Sequence, residues 1–126
     1  MVSKDEKTNV QVLKDLIKKF VKERDWEKFH HPKELATCLS IEASELLEVF
    51  LWKDKEPLEE TKKNEKIMSK IREELADVFI CALNLANRLD LDVSEIVEEK
   101  LKIAKEKYPV ELARGNAKKY TELKEK

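Results

Sequence analysis

The run Glu73-Glu74-Leu75-Ala76-Asp77-Val78-Phe79-Ile80-Cys81-Ala82-Leu83-Asn84-Leu85-Ala86-Asn87-Arg88-Leu89 decides the fold class. Its apolar residues Leu75, Val78, Phe79, Ala82, Leu85, Ala86 and Leu89 recur at spacings of three and four, the period of a helix with one buried stripe. Ile71 extends the stripe upstream, and Ile80 and Leu83 widen it. A helix apolar on more than one side lies at the centre of a fold or against a partner subunit. The spacing therefore predicts a long central helix from about Glu65 to Leu89.

Three further helices flank it in the sequence. Pro32 suits the first turn of one that runs to about Trp52, because the N–H that proline lacks has no helical partner there. Its inward stripe is Leu35, Leu39, Leu46 and Phe50. Upstream, Thr8 and Gln11 have capping-box spacing and open a helix with Leu13, Leu16, Ile17 and Phe20 on one face, fading around Asp25-Trp26. Downstream, Asp92 with Glu95 opens a helix that ends at Tyr108-Pro109 and carries a thinner stripe, Ile96, Val97, Leu101 and Ala104. Between the second and third helices, residues 54–64 are polar, interrupted by Pro57, and read as a loop. Residues 110–126 form a tail without clear periodicity. The expectation is an all-α chain, one domain over residues 1–126, with a single Gly and three Pro leaving little material for β turns.

Composition narrows the function. Charged residues make up 42% of the chain, against roughly 25% in an average protein. The signs nearly cancel, 26 Lys+Arg against 27 Asp+Glu, so no net field draws the chain to nucleic acid or to a membrane. No apolar run is long enough to span a bilayer, and Met1-Val2-Ser3-Lys4-Asp5 has no signal-peptide core. Cys38 and Cys81 lie in helical patterns without CxxC spacing, which indicates neither a disulfide framework nor a structural zinc site. A reduced, cytoplasmic setting is expected.

Two short acidic motifs break the apolar pattern. Glu42-Ala43-Ser44-Glu45-Leu46-Leu47 on the second helix matches Glu74-Leu75-Ala76-Asp77-Val78-Phe79 on the third. At about 100° per residue, positions i and i+3 project from one face. If the two helices pack antiparallel, the acids Glu42, Glu45, Glu74 and Asp77 converge at one rim of the core. Such a cluster repels itself unless a cation neutralises it, and an all-oxygen donor set suits Mg²⁺ or Mn²⁺. Phosphoryl chemistry is then the natural use. In a chain this rich in Glu and Lys, an E-x-x-E pair also reads as a solvated helix face. A di-iron bundle would need Glu-x-x-His pairs, whereas the histidines here are His30 and His31, adjacent in a linker.

With these acids in place the sequence resembles the MazG-like all-α nucleoside triphosphate pyrophosphohydrolases, and among them the small dCTP-hydrolysing branch. The likeness runs through Glu23-Arg24-Asp25-Trp26-Glu27-Lys28-Phe29-His30, Glu42-x-x-Glu45, Phe50-Leu51-Trp52-Lys53 and Glu73-Glu74-Leu75-Ala76-Asp77-Val78. It continues through Lys107-Tyr108-Pro109, Ala113-Arg114-Gly115 and Lys118-Lys119-Tyr120-Thr121-Glu122-Leu123. The resemblance implies a four-helix bundle, assembly as a homodimer or homotetramer, and Mg²⁺ ligation by Glu42, Glu45, Glu74 and Asp77. It implies hydrolysis of a (deoxy)nucleoside triphosphate to monophosphate and pyrophosphate, with Glu42 or Glu45 as the base that activates water. The substrate it points to first is dCTP or a modified pyrimidine.

The same likeness implies substrate contacts at Trp26, His30, Trp52, Lys100 and Tyr108. Each has a plainer reading: core or interface filler for the tryptophans, a structural or solvent-facing linker His, a solvated Lys, a Tyr that caps the core. Three positions depart from the branch: Ile17 for a pocket His, Cys81 for a Tyr, and Ala104 for the usual Asn. A site short of polar partners rejects analogues weakly, so strict cytosine selection is not expected. Two other classes fit the sequence: a nucleotide-binding sensor without turnover, and a helical oligomerisation module with decorative acids.

Overall fold

The computed structural model describes residues 3–53 and 56–123, and all regular structure among them is helical. The helices are α1 (Val10–Glu23), α2 (Pro32–Val49), α3 (Leu58–Lys63), α4 (Glu65–Arg88), α5 (Val93–Lys107), α6 (Val110–Ala113) and α7 (Tyr120–Leu123). Single 3₁₀ turns sit at Asp5–Lys7 and Glu27–Phe29. The four long helices fall where apolar periodicity puts them, and among the described residues none is long and apolar enough to cross a membrane.

Their starts are set by side chains that satisfy otherwise unpaired N–H groups. Asn64 Oδ1 accepts from the Ile67 N–H at 3.2 Å to open α4, and Asp92 Oδ1 accepts from the Glu95 N–H at 2.9 Å to open α5. For α1 the cap is Asn9, not Thr8: Asn9 Oδ1 accepts from the Val12 N–H at 3.0 Å. The Thr8 hydroxyl is buried and unpartnered, so the capping-box reading is off by one residue.

Two segments are more ordered than their composition predicts. The connector expected as a loop contains α3, which Pro57 precedes at the N-cap. Glu59 and Glu60 in its first turn and Lys62 and Lys63 in its last complement the helix dipole. Asp54 and Lys55 lie outside the described residues, as do 124–126 of the tail. The rest of the tail holds α6 and α7, separated by Arg114-Gly115-Asn116, where Gly115 takes a φ of 79°.

The chain forms two compact units, Met1–Leu91 and Asp92–Lys126. In the first, α4 is the hub: α2 packs along it most extensively, and α1 and α3 also contact it. Val21, Leu35, Leu83 and Ala86 are buried there. Lys14 is nearly out of solvent, its ammonium donating to the Leu91 carbonyl at 2.6 Å. The Lys14 carbonyl accepts from Asn87 Nδ2 at 2.9 Å, so one residue ties α1 to the end of α4 twice. The expected inward stripe of α1 is not covered in the single chain: Leu16 and Phe20 stay 58% and 47% exposed. Phe79 on α4 and Leu47 on α2 are likewise open. In the second unit, Tyr108 follows α5 and meets Tyr120 edge to face at 6.2 Å, with the Lys107 ammonium 4.7 Å from the Tyr120 ring.

Candidate functional site

Residues on α2 and α4 meet in a constant antiparallel register. Cys38 faces Cys81, Glu42 senses Asp77, and Glu45 lies against Glu74, so the numbers rise along one helix as they fall along the other. Each acid pair occupies one helical face because its members are three residues apart. The antiparallel packing does the rest, bringing two pairs 32 residues apart in sequence to one place.

Carboxylate oxygens of Glu42, Glu45 and Glu74 all lie within 4.8 Å of one another. Asp77 is outside that tight group, but its charge reaches both Glu42 and Glu74. Glu42 Oε2 and Glu74 Oε2 are out of solvent and accept no hydrogen bond. Burial holds the Glu42 carboxyl above the usual carboxylate range, followed by a proton shared with Glu45 and repulsion from Glu45, Asp77 and Glu74. Glu74 is raised too, first by burial, then by the charge of Glu45 and by proton sharing with it. Orphaned acceptors and mutually opposed charges fit a hard cation with oxygen ligands. A solvated helix face would show neither, because water would satisfy the oxygens and screen the charges.

The other candidate residues are dispersed. Trp26 follows α1 and meets Phe20 edge to face at 5.7 Å, 43% exposed. His30, between the Glu27–Phe29 turn and α2, has Nδ1 3.3 Å from Asn84 Nδ2, and its carbonyl accepts from Arg88 Nε at 3.1 Å. It lines a cavity of about 230 Å³ with Lys18, Glu27, Asn84, Arg88 and Asp90, to which none of the four acids contributes. Trp52 is 96% exposed, which removes the reading of it as core filler. Its φ of 70° puts a bulky side chain in the left-handed region, a strained placement for any residue but Gly, Asn or Asp. Lys100, exposed on α5, and Tyr108 belong to the second unit.

The sequence reading missed one feature outright. Cys38 and Cys81, 43 residues apart, place their thiols within hydrogen-bond distance, 3.2 Å between sulfurs with no disulfide, across the α2–α4 contact. Burial first, then Cys38, pushes the Cys81 thiol up to about 12. No local spacing signals such a pair. The signal available was the antiparallel register itself, since Cys38 and Cys81 stand one turn beyond Glu42 and Asp77 on their own helices.

dCTP pyrophosphatase 1 from Rattus norvegicus is 43% identical to this chain over 105 residues, and that from Homo sapiens 42% over 105. Each alignment covers 82% of this chain and 61% of the relative, so the chain spans about three fifths of the length of these curated relatives. A crystallised pyrophosphatase from Archaeoglobus fulgidus superposes with a TM-score of 0.72 at 34% identity, covering 86% of this chain and 99% of that one. The profile of the MazG-like family matches residues 38–123, a span that holds α2 from Cys38 onward, α4, and all four acids. By that match and those identities, the chain belongs to the MazG-like family.

Proposed function

We propose that the chain is a Mg²⁺-dependent nucleoside triphosphate pyrophosphohydrolase, with Mn²⁺ as a substitute ion. The observation that carries this is the convergence of Glu42, Glu45 and Glu74, with two buried oxygens lacking any partner. Its relatives' names support the same reaction class: dCTP pyrophosphatase 1 and a pyrophosphatase. Glu42, Glu45, Glu74 and Asp77 would hold the ion, which when bound supplies charge neutralisation and Lewis acidity at the triphosphate.

The rest of the chemistry falls to side chains. Glu42 or Glu45 accepts a proton from a water held at the cluster, and that water's oxygen bonds to the α phosphorus. The bond from the α phosphorus to the bridging oxygen breaks, and pyrophosphate leaves with the electron pair. Trp26 and Trp52 are assigned to the nucleobase, because an aromatic face stacks on any base. His30 is assigned to the sugar or phosphates. Lys100 and Tyr108 are carried as substrate contacts on the family resemblance alone. With Ile17, Cys81 and Ala104 in place of hydrogen-bonding residues, the substrate is a (deoxy)nucleoside triphosphate read loosely at the base, dCTP or a modified pyrimidine first.

We further propose a single MazG-like domain of the four-helix-bundle type, with residues 110–126 as its tail. Self-association as a homodimer or homotetramer is supported by the open apolar side chains Leu16, Phe20, Leu47 and Phe79. We propose a reducing, cytoplasmic setting, the one in which Cys38 and Cys81 stay thiols.

The test is pyrophosphate release from a panel of nucleoside triphosphates with Mg²⁺. Glu42→Gln, Glu45→Gln and Asp77→Asn are each expected to lower kcat by at least about 100-fold, with the oligomer intact. Turnover retained in all three would remove the site assignment. A second reading, a nucleotide-binding sensor, is favoured by Ala104 where the family usually carries Asn. Calorimetric binding of a non-hydrolysable triphosphate without any pyrophosphate release would select it.

A further inference from the structure

We propose that Cys38, Cys81 and Glu42 form a second metal site, selective for a thiophilic divalent cation such as Zn²⁺ or Cd²⁺, beside the carboxylate cluster in the α2–α4 contact. The two sulfurs and a Glu42 carboxylate oxygen all lie within 4.8 Å of one another. They come from two helices whose packing is the most extensive in their unit, so the three donors are held by the scaffold and not by a loop. Glu42 Oε2 is out of solvent with no hydrogen-bond partner, an acceptor in want of a ligand.

Sulfur spacing separates the outcomes open to such a pair. The sulfurs are 3.2 Å apart. A disulfide requires about 2.05 Å, a closure of more than 1 Å. An ion holding two thiolates at about 2.3 Å in tetrahedral geometry sets them roughly 3.8 Å apart, an opening of about half an ångström. That opening is smaller than the closure a disulfide needs. Two sulfurs and one carboxylate leave a fourth position for water, the donor set of a zinc-type site. Mg²⁺, which takes oxygen ligands, gains nothing from the sulfurs, so the two sites discriminate between hard and soft ions. On binding, each thiol loses its proton to solvent, and two thiolates with one carboxylate surround a doubly charged ion.

Glu42 belongs to both groups. A soft ion at the thiols therefore withdraws one carboxylate from the acid cluster and is expected to suppress turnover. That consequence rests on the proposed function; the binding itself does not.

The test is a titration of the reduced full chain with Cd²⁺ in excess Mg²⁺, kept under a phosphine reductant. A thiolate-to-cadmium charge-transfer absorbance should rise to a break at one ion per chain, with two protons released. Cys38→Ser and Cys81→Ser should each abolish the band while leaving helicity in place. Glu42→Gln should weaken Cd²⁺ binding at least about tenfold, the scale that loss of even a ligand's hydrogen-bond partner reaches. No thiolate band at one equivalent in the unsubstituted chain overturns the site without recourse to any variant. So does a band that survives both serine substitutions, or a mass two hydrogens low under reductant, which marks a disulfide. Failure of turnover with Mg²⁺ alone overturns the proposed function instead, and a cadmium band in that same protein still supports this site.

Discussion

Glu42 and Glu74 are carboxylic acids held where ionisation is costly, and the consequence for stability has a definite sign. Both sit above their ordinary value of 4.5 in the folded chain. The native state therefore holds protons that the unfolded chain has released, and this contribution is present below that value and lost as pH rises through the raised ones. The metal-free chain is expected to lose stability as pH rises above 4.5, relative to a Glu42→Gln, Glu74→Gln double variant. Thermal melts in chelator across that range check it, and parallel curves for the two proteins would contradict it. A cation bound to the ionised form reverses the trend. Mg²⁺ at 100 times its Kd should stabilise the native state at neutral pH by about 2.7 kcal/mol. The double variant should show no such gain.

At the scale of elements, the caps and ends of the helices follow local chemistry. Asn64 Oδ1 is the acceptor that opens α4, the helix carrying half the acid cluster, and Asn64→Ala is expected to cost about 1 kcal/mol in a denaturant melt. The ends use a left-handed residue that is usually Gly. After α1, Asp25 takes a φ of 54° while the Trp26 N–H bonds back to the Val21 carbonyl at 3.1 Å. After α4, Asp90 repeats the conformation as the Leu91 N–H reaches the Ala86 carbonyl at 2.9 Å. With a single Gly in the chain these ends were not legible as stops, since Asp is the less common occupant. Packing then acts on the finished helices. Leu83, 8% exposed on α4, is expected to cost about 2–5 kcal/mol as Ala, read from the urea midpoint.

For the whole molecule, the main feature is how little apolar surface one copy hides. Among the described residues the buried hydrophobics are Val21, Leu35, Leu83, Ala86 and Leu123, whereas Phe79 stays 59% and Leu47 64% exposed. A second copy packed on these side chains would remove further apolar surface from water. Phe79→Asp is therefore expected to shift sedimentation toward a single copy without loss of helicity, because it places a charge in a surface that a second copy would cover. An unchanged sedimentation coefficient, with the wild type itself a single copy, would remove the proposed assembly. The stripes of α1 and α4 were legible as apolar faces, but periodicity says only that a face wants cover. It does not say whether the cover is the same chain or another.

Sequence alone determined the four long helices and the two acidic pairs, because a 3.6-residue period and an i, i+3 spacing are properties of one continuous segment. It also placed Pro32 and Asp92 at helix starts, where local hydrogen bonding decides. Only the tertiary structure decided that the two pairs meet, that Glu42 and Glu74 leave oxygens unpartnered, and that Cys38 touches Cys81. Those depend on the register between α2 and α4, which is set by side-chain packing between segments distant in the chain.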